Sequence, residues 1–430
     1  MIRIISYPKA DEWVNLTKRP VVDQSSLLSV AEGIFKDVLL DGDKAISKYS
    51  QQFDDVNYSC SPIELNLIED AENKISVSLK ESIKKAYQNI DKFHASQIEP
   101  VKKIETTEGV ICWRESRPIN KVGVYIPGGS APLFSTVLML GVPARIAGCK
   151  EVVLCTPPDK NGNINPLILY AANLVGIQKV YAVGGIQAIV AMALGTESIP
   201  KVDKIFGPGN QYVTAAKQIA QFYGTAIDMP AGPSEVLVIA DDSCDAEFVA
   251  ADLLSQAEHG PDSQVILLSD NKTVIDEVNS ALQEQLKKLS RKEIAKKALQ
   301  NSQAILFKSI EECISFSNSY APEHLILAIT NAEEKIGMIE SAGSVFLGNY
   351  SCESIGDYAS GTNHTLPTNG YARAYSGVSL DSFVKKITFQ SVSKTGLKNI
   401  GPAVEMMAEA EQLIAHKNAV TIRLNKINKQ

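Results

Sequence analysis

The sequence predicts an α/β fold with two lobes, each built around a parallel β-sheet, together with smaller segments at both ends of the chain. From Val122 onward, short β-branched runs alternate with helical stretches, which is typical of βαβ units. A second series of the same kind begins near Ser234. The length of 430 residues exceeds the usual size of one domain, about 150 residues, and leaves room for both lobes and the end segments.

The composition excludes several classes of protein. Hydrophobic residues make up 45% of the chain, which is enough for packed cores and too much for a disordered chain. The formal net charge of -7 argues against a general nucleic-acid-binding surface. No apolar stretch reaches the roughly 18 residues of a membrane helix, and the start MIRIISYPKADEW lacks the features of a secretory signal. We therefore expect a cytoplasmic protein that binds neither nucleic acid nor membrane.

The cysteine pattern also indicates a reducing, cytosolic compartment. The number of cysteines is odd, they are scattered, and no C-x-x-C motif occurs. This pattern argues against a disulfide framework and against a thiolate zinc site. The seven cysteines are Cys60, Cys112, Cys149, Cys155, Cys244, Cys313 and Cys352.

The N-terminal part, to about residue 105, is predicted to be mostly helical, and the first α/β series follows it. Apolar residues at helical spacing predict helices within 26–51 and 79–94. The first series has predicted helices at 166–174, 186–195 and 211–223. Its predicted strands lie in KVGVYIP, KEVVLCTPP, KVYAVGG and KVDKIFGPG.

The second α/β series has helices predicted at 246–258, 272–288 and 332–341. Residues 349–374, rich in Gly, Ser, Asn and Thr, predict an ordered loop. A last helix is predicted at 402–415, followed by a short basic tail. The strands of this series are predicted in EVLVIAD, SQVILLSD, QAILFKS, HLILAIT and SVFLGNY.

Glycine-bearing turns follow three strands of the first series. Because free N–H groups at the start of a helix favour anions, such turns suit a phosphate-bearing ligand. No G-x-G-x-x-G motif occurs, so the turns alone do not identify NAD. The turns are IPGGSAP with Gly128 and Gly129, VGGIQA with Gly184 and Gly185, and FGPGNQ with Gly207 and Gly209.

Histidine is scarce, and four of the five histidines lie in the C-terminal half beside polar or acidic residues. The fifth, His94, lies in an amphipathic helix and is most simply a surface or core residue. In SQAEHGPDS, Gln256 and His259 are three residues apart at the end of a predicted helix, so both side chains face one way. The two side chains are suited to bind one cation together. Alternatively, His259 interacts with the dipole at the end of the helix.

Glu323 and His324, in YAPEHLIL, lie where a predicted strand begins. A carboxylate beside an imidazole makes a proton-transfer pair, and the alternative is a solvated loop before the strand. In GDYASGTNH, Asp357 is a candidate metal ligand, or a partner that orients a histidine such as His364.

The C-terminal stretch EAEQLIAHKN contains Glu411 and His416. Five residues apart, they are about 140° apart around an ideal helix and converge only if the helix ends between them. The alternative for this pair is an ordinary charged helix end.

Taken together, long segments of the chain resemble the histidinol dehydrogenase family. The resemblance covers nearly the whole chain, strongly from about Val122 to Arg423 and loosely before that. The segments that carry it are VGVYIPGGSAPLFSTVLMLGVPARIAGCKEVVLC, KIFGPGNQYV, AGPSEVLVIAD, LLSQAEHGPDSQVILL, PEHLI, SAGSVFLG, GDYASGTNH and AHKNAVTIRLN.

This family is zinc-dependent and NAD-linked, and it oxidises L-histidinol twice, through L-histidinaldehyde, to L-histidine, the last step of histidine biosynthesis. The resemblance implies two Rossmann-like lobes that are incomplete and lack the G-x-G-x-x-G motif. We accordingly expect residues 1–110 to pack with 236–375 as one α/β domain. Residues 111–235 would form a second, NAD-binding domain, and residues 376–430 a small C-terminal domain.

The resemblance also implies the roles of individual residues. One zinc ion per subunit would be held by Gln256, His259, Asp357 and His416. Those four ligands would also contact the substrate, together with Ser234, His324, His364 and Glu411. Glu323 and His324 would be the catalytic proton acceptors, and Tyr125, Gln187 and Asn210 would bind NAD. The family forms homodimers, so Glu411 and His416 are expected to act in the partner subunit's site.

The expected chemistry follows from these roles. His324 would accept the alcohol proton, Glu323 would activate water to hydrate the aldehyde, and His324 would accept a proton again in the second oxidation. A competing route forms a thiohemiacetal on Cys112 or Cys149, although no activating base lies near either cysteine in the sequence. Two other functions are considered: a zinc hydrolase with Glu323 as base, and a binding module without catalysis.

Overall fold

The computed structural model describes residues 2–19, 24–56, 61–128, 132–230 and 232–429. Cys60 and Gly129, named above, lie outside these ranges. The chain forms two compact units: Met1–Ser96 with Ile119–Phe383, and Gln97–Pro118 with Val384–Gln430. The three-part division expected above stays a prediction.

Strands and helices alternate along the chain. The strands are β1 (Arg3–Ser6), β2 (Ile104–Thr107), β3 (Val110–Pro118), β4 (Lys121–Tyr125), β5 (Glu151–Thr156), β6 (Lys179–Ala182), β7 (Lys204–Phe206), β8 (Ala226–Ile227), β9 (Glu235–Ala240), β10 (Gln264–Ser269), β11 (Gln303–Leu306), β12 (His324–Ala328), β13 (Ser344–Leu347) and β14 (Val384–Val392).

The helices before residue 384 belong to the first unit, and most of them cover the faces of its sheets. The helices are α1 (Trp13–Leu16), α2 (Gln24–Asp41), α3 (Asp43–Asp54), α4 (Leu65–Asp70), α5 (Val77–Ala95), α6 (Phe134–Ala147), α7 (Pro166–Val175), α8 (Gly185–Leu194), α9 (Gln211–Ala220), α10 (Ala246–Ala257), α11 (Lys272–Lys288), α12 (Lys292–Gln300), α13 (Ile310–Tyr320), α14 (Glu353–Tyr358), α15 (Lys394–Ala410) and α16 (Ile414–Asn428).

The first sheet has five parallel strands in the order β6-β5-β4-β7-β8. Its central strands are continuous apolar runs because helices cover both faces, and residues such as Val124 and Leu154 are fully buried. β4 and β7 are neighbours although β5, β6 and their helices separate them in the chain. In such doubly wound sheets, ligands bind beyond the carboxyl ends of the strands where the order reverses.

The second sheet has six parallel strands in the order β1-β11-β10-β9-β12-β13. Apart from β1, this order matches that of the first sheet, so the prediction of two parallel-sheet lobes is confirmed. β1 pairs with β11, with Arg3 opposite Gln303, and so ties the start of the chain into the second lobe. The first residues form a strand, which the mostly helical prediction for this part of the chain did not include.

The second unit contains the antiparallel sheet β14-β3-β2, which the sequence analysis did not predict. Trp113 and Phe389 stack across this sheet with ring centroids 5.4 Å apart. The single helix predicted at 402–415 is wrong, because α15 ends at Ala410 and α16 begins at Ile414. A Cβ atom at Gly401 would lie 2.9 Å from Leu424, so the absence of a side chain there lets α15 and α16 pack closely.

Several other elements differ from the predictions. The helix predicted within 26–51 is interrupted at Gly42, whose φ of +51° ends α2 before α3 begins. The loop predicted at 349–374 contains the short helix α14. Residues 332–338 form a 3-10 helix. Among the described residues, no helix combines the length and apolar character needed to cross a bilayer.

Candidate active site

The backbone of Glu235, the first residue of β9, contacts three of the predicted site residues. Its N–H donates to Oε2 of Glu323 at 2.9 Å. Its carbonyl oxygen lies 3.2 Å from Nδ1 of His324 and accepts a hydrogen bond from Nε2 of Gln256 at 3.3 Å. The strand pairing explains the proximity, because β9 and β12 are neighbours with His324 opposite Val236. The candidate site therefore lies at the amino ends of these two strands.

His324 has a defined tautomer. A carbonyl oxygen can only accept, so the contact with Glu235 requires the proton to be on Nδ1. Nε2 is buried, makes no hydrogen bond to any residue that the structure describes, and lies 3.4 Å from Oδ1 of Asp357. Burial opposes the charged form of His324. The surrounding carboxylates, including Glu323 and Asp357, outweigh burial and raise the pKa to about 10.

Glu323 and Gln256 are joined in the same buried cluster. Nε2 of Gln256 also donates to Oε2 of Glu323 at 3.3 Å. Burial raises the pKa of Glu323 to about 7, with His324 acting in the opposite direction. A carboxyl with a pKa near neutrality can hold or release a proton at physiological pH. The other amide atom of Gln256, Oε1, is buried and has no hydrogen-bond partner among the described residues.

His364 connects Asp357 to the first lobe. Its Nδ1 donates to the backbone oxygen of Asp357 at 2.8 Å, and its Nε2 lies 3.0 Å from the hydroxyl of Thr136 in α6. Burial lowers the pKa of His364 and so favours the neutral ring, in which Nε2 accepts a hydrogen bond from the Thr136 hydroxyl. Both ring nitrogens are engaged within the protein, so a direct substrate contact by His364 would displace Thr136. The substrate-binding role of His364 stays a prediction.

His259 follows the end of α10 and has an exposed side chain. Surrounding protein atoms nevertheless lower its pKa, which favours a neutral imidazole. The pKa of Asp357 is also lowered, but for a carboxyl group this favours the charged form. Although burial acts to raise its pKa, the contact with His324 and the nearby histidines hold it below the ordinary value, so the carboxylate is ionised.

These properties test whether a zinc ion suits the predicted ligands. Zinc requires neutral imidazole nitrogens and deprotonated oxygen ligands. His259 and Asp357 have those forms, and Oε1 of Gln256 is an acceptor that no residue in the described part of the chain engages. The three residues therefore fit a zinc ion chemically. Within the ranges that the structure describes, no three His, Cys, Asp or Glu side chains form a metal-binding group by themselves.

The remaining predicted residues are placed as follows. Ser234 directly precedes β9, is half-buried, and accepts a backbone hydrogen bond from Gln264 at 3.1 Å. Glu411 and His416 belong to the second unit, Glu411 just after α15 and His416 in the first turn of α16. Both side chains are exposed.

Glu353, which the sequence pattern did not single out, lies four residues before Asp357 in α14. This spacing places the two carboxylates on one face of the helix. Glu353 is 1% exposed, and its Oε2 atom has no hydrogen-bond partner in the part of the chain that the structure describes. Burial raises its pKa to about 8, and the charge of Asp357 adds to this effect. The spacing in ESIGDY was visible in the sequence, but the glycine- and serine-rich context indicated a loop.

The three predicted NAD-binding residues line one cavity of about 1540 Å³. The cavity lies beyond the carboxyl ends of the strands of the first sheet, where Tyr125 ends β4 and Asn210 follows β7. The hydroxyl of Tyr125 accepts from the N–H of Gly185 at 3.1 Å. Nε2 of Gln187 donates to Asp54 at 2.9 Å, while its Oε1 is buried with no partner within the described ranges. Asp54 also lines the cavity. Nothing in the sequence indicated this, because Asp54 lies 133 positions before Gln187.

A buried ion pair fixes the loop that contains Asn210. Lys217 and Asp228 lie 2.5 Å apart. Nζ of Lys217 donates to the carbonyl oxygen of Gly207, and the N–H of Gly207 donates to Asp228, both at 2.9 Å. Gly207 has a φ of +132°, and a Cβ atom there would lie 2.1 Å from the carbonyl oxygen of Tyr125. The turn FGPGNQ therefore requires glycine in order to approach β4.

Comparisons with known proteins agree with this organisation. The sequence model of the histidinol dehydrogenase family matches residues 17–424. A histidinol dehydrogenase of Bacteroides thetaiotaomicron is 58% identical over 425 residues, which is 99% of each chain. One from Vibrio vulnificus is 54% identical over 417 residues, which is 96% of each chain. The crystal structure of histidinol dehydrogenase from Elizabethkingia anophelis has a TM-score of 0.97 and 61% identity, and the match covers 99% of both chains. The chain therefore belongs to the histidinol dehydrogenase family of oxidoreductases.

Proposed function

We propose that this protein oxidises L-histidinol twice, through L-histidinaldehyde, to L-histidine, with NAD as the hydride acceptor and one zinc ion per subunit. This reaction would complete histidine biosynthesis in the cytoplasm. The observation that carries the proposal is the convergence of Glu323, His324 and Gln256 on the backbone of Glu235. This cluster lies in a chain whose family is shown along almost its whole length.

His324 serves as the proton acceptor in both oxidations. Its Nδ1 proton is held by the Glu235 carbonyl oxygen, so Nε2 is the atom that takes a proton from the substrate. Carboxylates, Asp357 among them, raise the pKa of the ring and stabilise the imidazolium formed in each step. A cation bound by Asp357 would offset part of that negative charge, so the ring would be neutral before it accepts the substrate's proton. When bound, NAD supplies the acceptor for the hydride that leaves the substrate carbon.

Glu323 acts in the second oxidation. An aldehyde must become tetrahedral before it can release hydride, and addition of water produces that form. The pKa of Glu323, raised to about 7, suits a group that removes a proton from water and later returns it. Hydrogen bonds from the Glu235 N–H and the Gln256 amide hold the Oε2 atom of Glu323 in place.

Gln256, His259, Asp357 and His416 would hold the zinc ion. The support from this chain is the orphaned amide oxygen, the neutral imidazole and the ionised carboxylate described above. When bound, zinc supplies an anchor for the nitrogen atoms of the substrate. Anchoring a small substrate fixes its reactive C–H bond relative to the protein groups, which lowers the entropic part of the barrier. Ser234, His364 and Glu411 would complete the substrate contacts.

The active unit would be a homodimer in which a second copy supplies Glu411 and His416. Both side chains are exposed in the second unit. The same unit exposes several large apolar side chains, which is typical of a surface buried by association. These side chains are Met406, Met407, Leu413, Ile414 and Ile422.

Tyr125, Gln187 and Asn210 would bind NAD in the cavity of the first lobe. The location beyond the carboxyl ends of a parallel sheet, beside glycine-bearing turns, suits a dinucleotide. The unpartnered Oε1 of Gln187 provides an acceptor for a donor group of the ligand.

The alternative of a zinc hydrolase is tested with the purified protein. Histidinol is supplied with and without NAD, and the absorbance of the reduced nicotinamide and the formation of histidine are both followed. The proposal predicts histidine only when NAD is present, together with reduced coenzyme. Consumption of histidinol without NAD would instead support a hydrolase, and zinc binding without turnover would support a binding module.

A further inference from the structure

Arg19 is a buried cation that connects the N-terminal segment to the candidate site. Its guanidinium binds the carboxylate of Glu235 in a bidentate manner, with Nε to Oε1 and Nη2 to Oε2 both at 2.9 Å. The side chains of Arg19 and Glu235 are 10% and 2% exposed, so water screens their interaction very little. The two residues are 216 positions apart in the sequence.

The same guanidinium also contacts the segment that leads into β12. It stacks on the ring of Tyr320, 3.6 Å from the ring centroid, and Nη2 lies 3.4 Å from the carbonyl oxygen of Ala321. Ala321 has a φ of +56°, a left-handed conformation that is unfavourable for a residue with a side chain. The hydroxyl of Tyr320 is in turn held by Gln264 at 2.7 Å. Arg19 therefore holds the approach to the Glu323–His324 pair.

The carboxylate of Glu235 is held by neighbouring groups, and its backbone contacts the proposed catalytic residues. Besides Arg19, the N–H of Asn369 donates to its Oε1 atom at 2.9 Å. The backbone N–H and carbonyl oxygen of Glu235 are the groups that orient Glu323, His324 and Gln256. A shift of Glu235 would therefore move the ring of His324 and alter the hydrogen bond of its Nδ1–H group.

We propose that Arg19 is a positioning residue for the catalytic pair, because it clamps the amino ends of β9 and β12 through Glu235, Tyr320 and Ala321. It acts on the reaction without touching the substrate. The inference rests on the proposed role of His324 as proton acceptor. The positioning role depends on the planar shape of the guanidinium. This group can bind both carboxylate oxygens and stack on a ring at the same time, whereas a lysine ammonium cannot.

The test compares Arg19→Lys with the wild-type chain in the holoenzyme. We expect kcat to fall about 10- to 100-fold with both histidinol and histidinaldehyde, as when supporting groups around a site are removed. The Kd for NAD, measured by fluorescence titration, should not change, because the cavity that would hold NAD belongs to the first sheet. The matched control is Arg145→Lys, which alters an exposed ion pair with Asp91 and should leave kcat unchanged.

A second measurement does not depend on turnover. The chain has five histidines, so ¹⁵N-histidine labelling gives few enough signals to assign by substitution. In the wild type, His324 should show a protonated Nδ1, and Arg19→Lys should shift that signal while the His94 signal stays in place. A wild-type kcat or an unshifted His324 signal in Arg19→Lys overturns the positioning role. Absence of histidinol oxidation by the wild type refutes the proposed function instead and leaves the labelling result interpretable.

If Arg19→Lys fails to fold, the double variant Arg19→Met/Glu235→Leu is used, because replacing both members of a buried ion pair by apolar residues often preserves stability. This variant keeps the backbone groups at position 235 but removes the side-chain contacts between residues 19 and 235. We expect a folded protein with the same loss of kcat. Recovery of the wild-type kcat in the double variant would show that Arg19 only neutralises Glu235 and would overturn the proposal.

Discussion

The Nδ1 atom of His324 lies 3.2 Å from the carbonyl oxygen of Glu235, a residue 89 positions earlier in the chain. This contact determines which ring nitrogen carries the proton in the neutral ring, and it leaves Nε2 available to accept one. The backbone thus selects the tautomer that the proposed chemistry requires, and the arrangement of β9 and β12 is part of that proposal.

Replacement of His324 by Gln should abolish most of the activity. The glutamine amide can still donate to the Glu235 carbonyl oxygen, but it cannot accept a proton from the substrate. We expect kcat to fall about 10²- to 10⁴-fold for both histidinol and histidinaldehyde. Steady-state rates of NAD reduction measure the loss, and NAD titration serves as the control for folding. Retention of the wild-type kcat would exclude His324 as the proton acceptor.

Glu323→Gln should affect the two oxidations unequally. The amide keeps the size of the carboxyl group, but it cannot remove a proton from water, so hydration of the aldehyde is slowed. We expect the rate from histidinaldehyde to fall more than the rate of the first oxidation of histidinol. Single-turnover measurements with each substrate separate the steps. Equal losses in both steps would contradict the role assigned to Glu323.

Cys149→Ser should leave the second oxidation intact. Burial raises the pKa of the Cys149 thiol to about 11, so the nucleophilic thiolate is scarce at neutral pH. The residue also precedes β5, at the amino end of the first sheet, whereas the cavity with the predicted NAD-binding residues lies at the carboxyl ends. The rate from histidinaldehyde measures the effect. Near-complete loss of that rate would favour the thiohemiacetal route over activated water.

Asp252→Asn should make the protein more stable at high pH. Burial raises the pKa of Asp252 from 3.8 to about 7. Between these values the unfolded chain releases a proton that the folded protein keeps, so this residue makes stability fall as the pH rises. At about pH 8 the cost is up to about 4 kcal/mol, and asparagine removes it because it has no charge to bury.

Urea unfolding at about pH 4 and about pH 8 measures this effect, with Asp276→Asn on the exposed surface of α11 as the control. We expect similar stabilities of wild type and Asp252→Asn at the lower pH and a more stable variant at the higher pH. An equal difference at both pH values would mean that the carboxylate of Asp252 is not destabilised by burial.

Much of the fold could be predicted because buried parallel strands have a strong local signal. EVLVIAD and SQVILLSD are continuous apolar runs, and they form β9 and β10 as expected. β3 and β14 have no such signal, because their exposed faces carry charged residues such as Arg114 and Lys385, and their pairing joins segments far apart in the chain. The helices at the C-terminus also have a weak pattern, since α16 has no buried residue.

The candidate site was predictable where its residues are chemically conspicuous. Histidines are rare in this chain, and the Glu323–His324 pair lies at the start of a strand, as expected. Residues whose contacts lie far away in the sequence could not be recognised from the local pattern. The carboxylate of Asp54 contacts Gln187 because α3 and α8 are in contact, and Arg19 binds Glu235 although half of the chain separates them.

The central claim is a double oxidation by a metal-loaded site, and the direct measurement is the stoichiometry of coenzyme reduction before and after chelation. A limiting amount of histidinol is converted completely, and reduced NAD and histidine are quantified. The account predicts two molecules of reduced NAD for each histidine, loss of turnover after the metal is removed, and recovery when zinc is returned. One reduced NAD per histidinol, or full turnover by the metal-free protein, would contradict it.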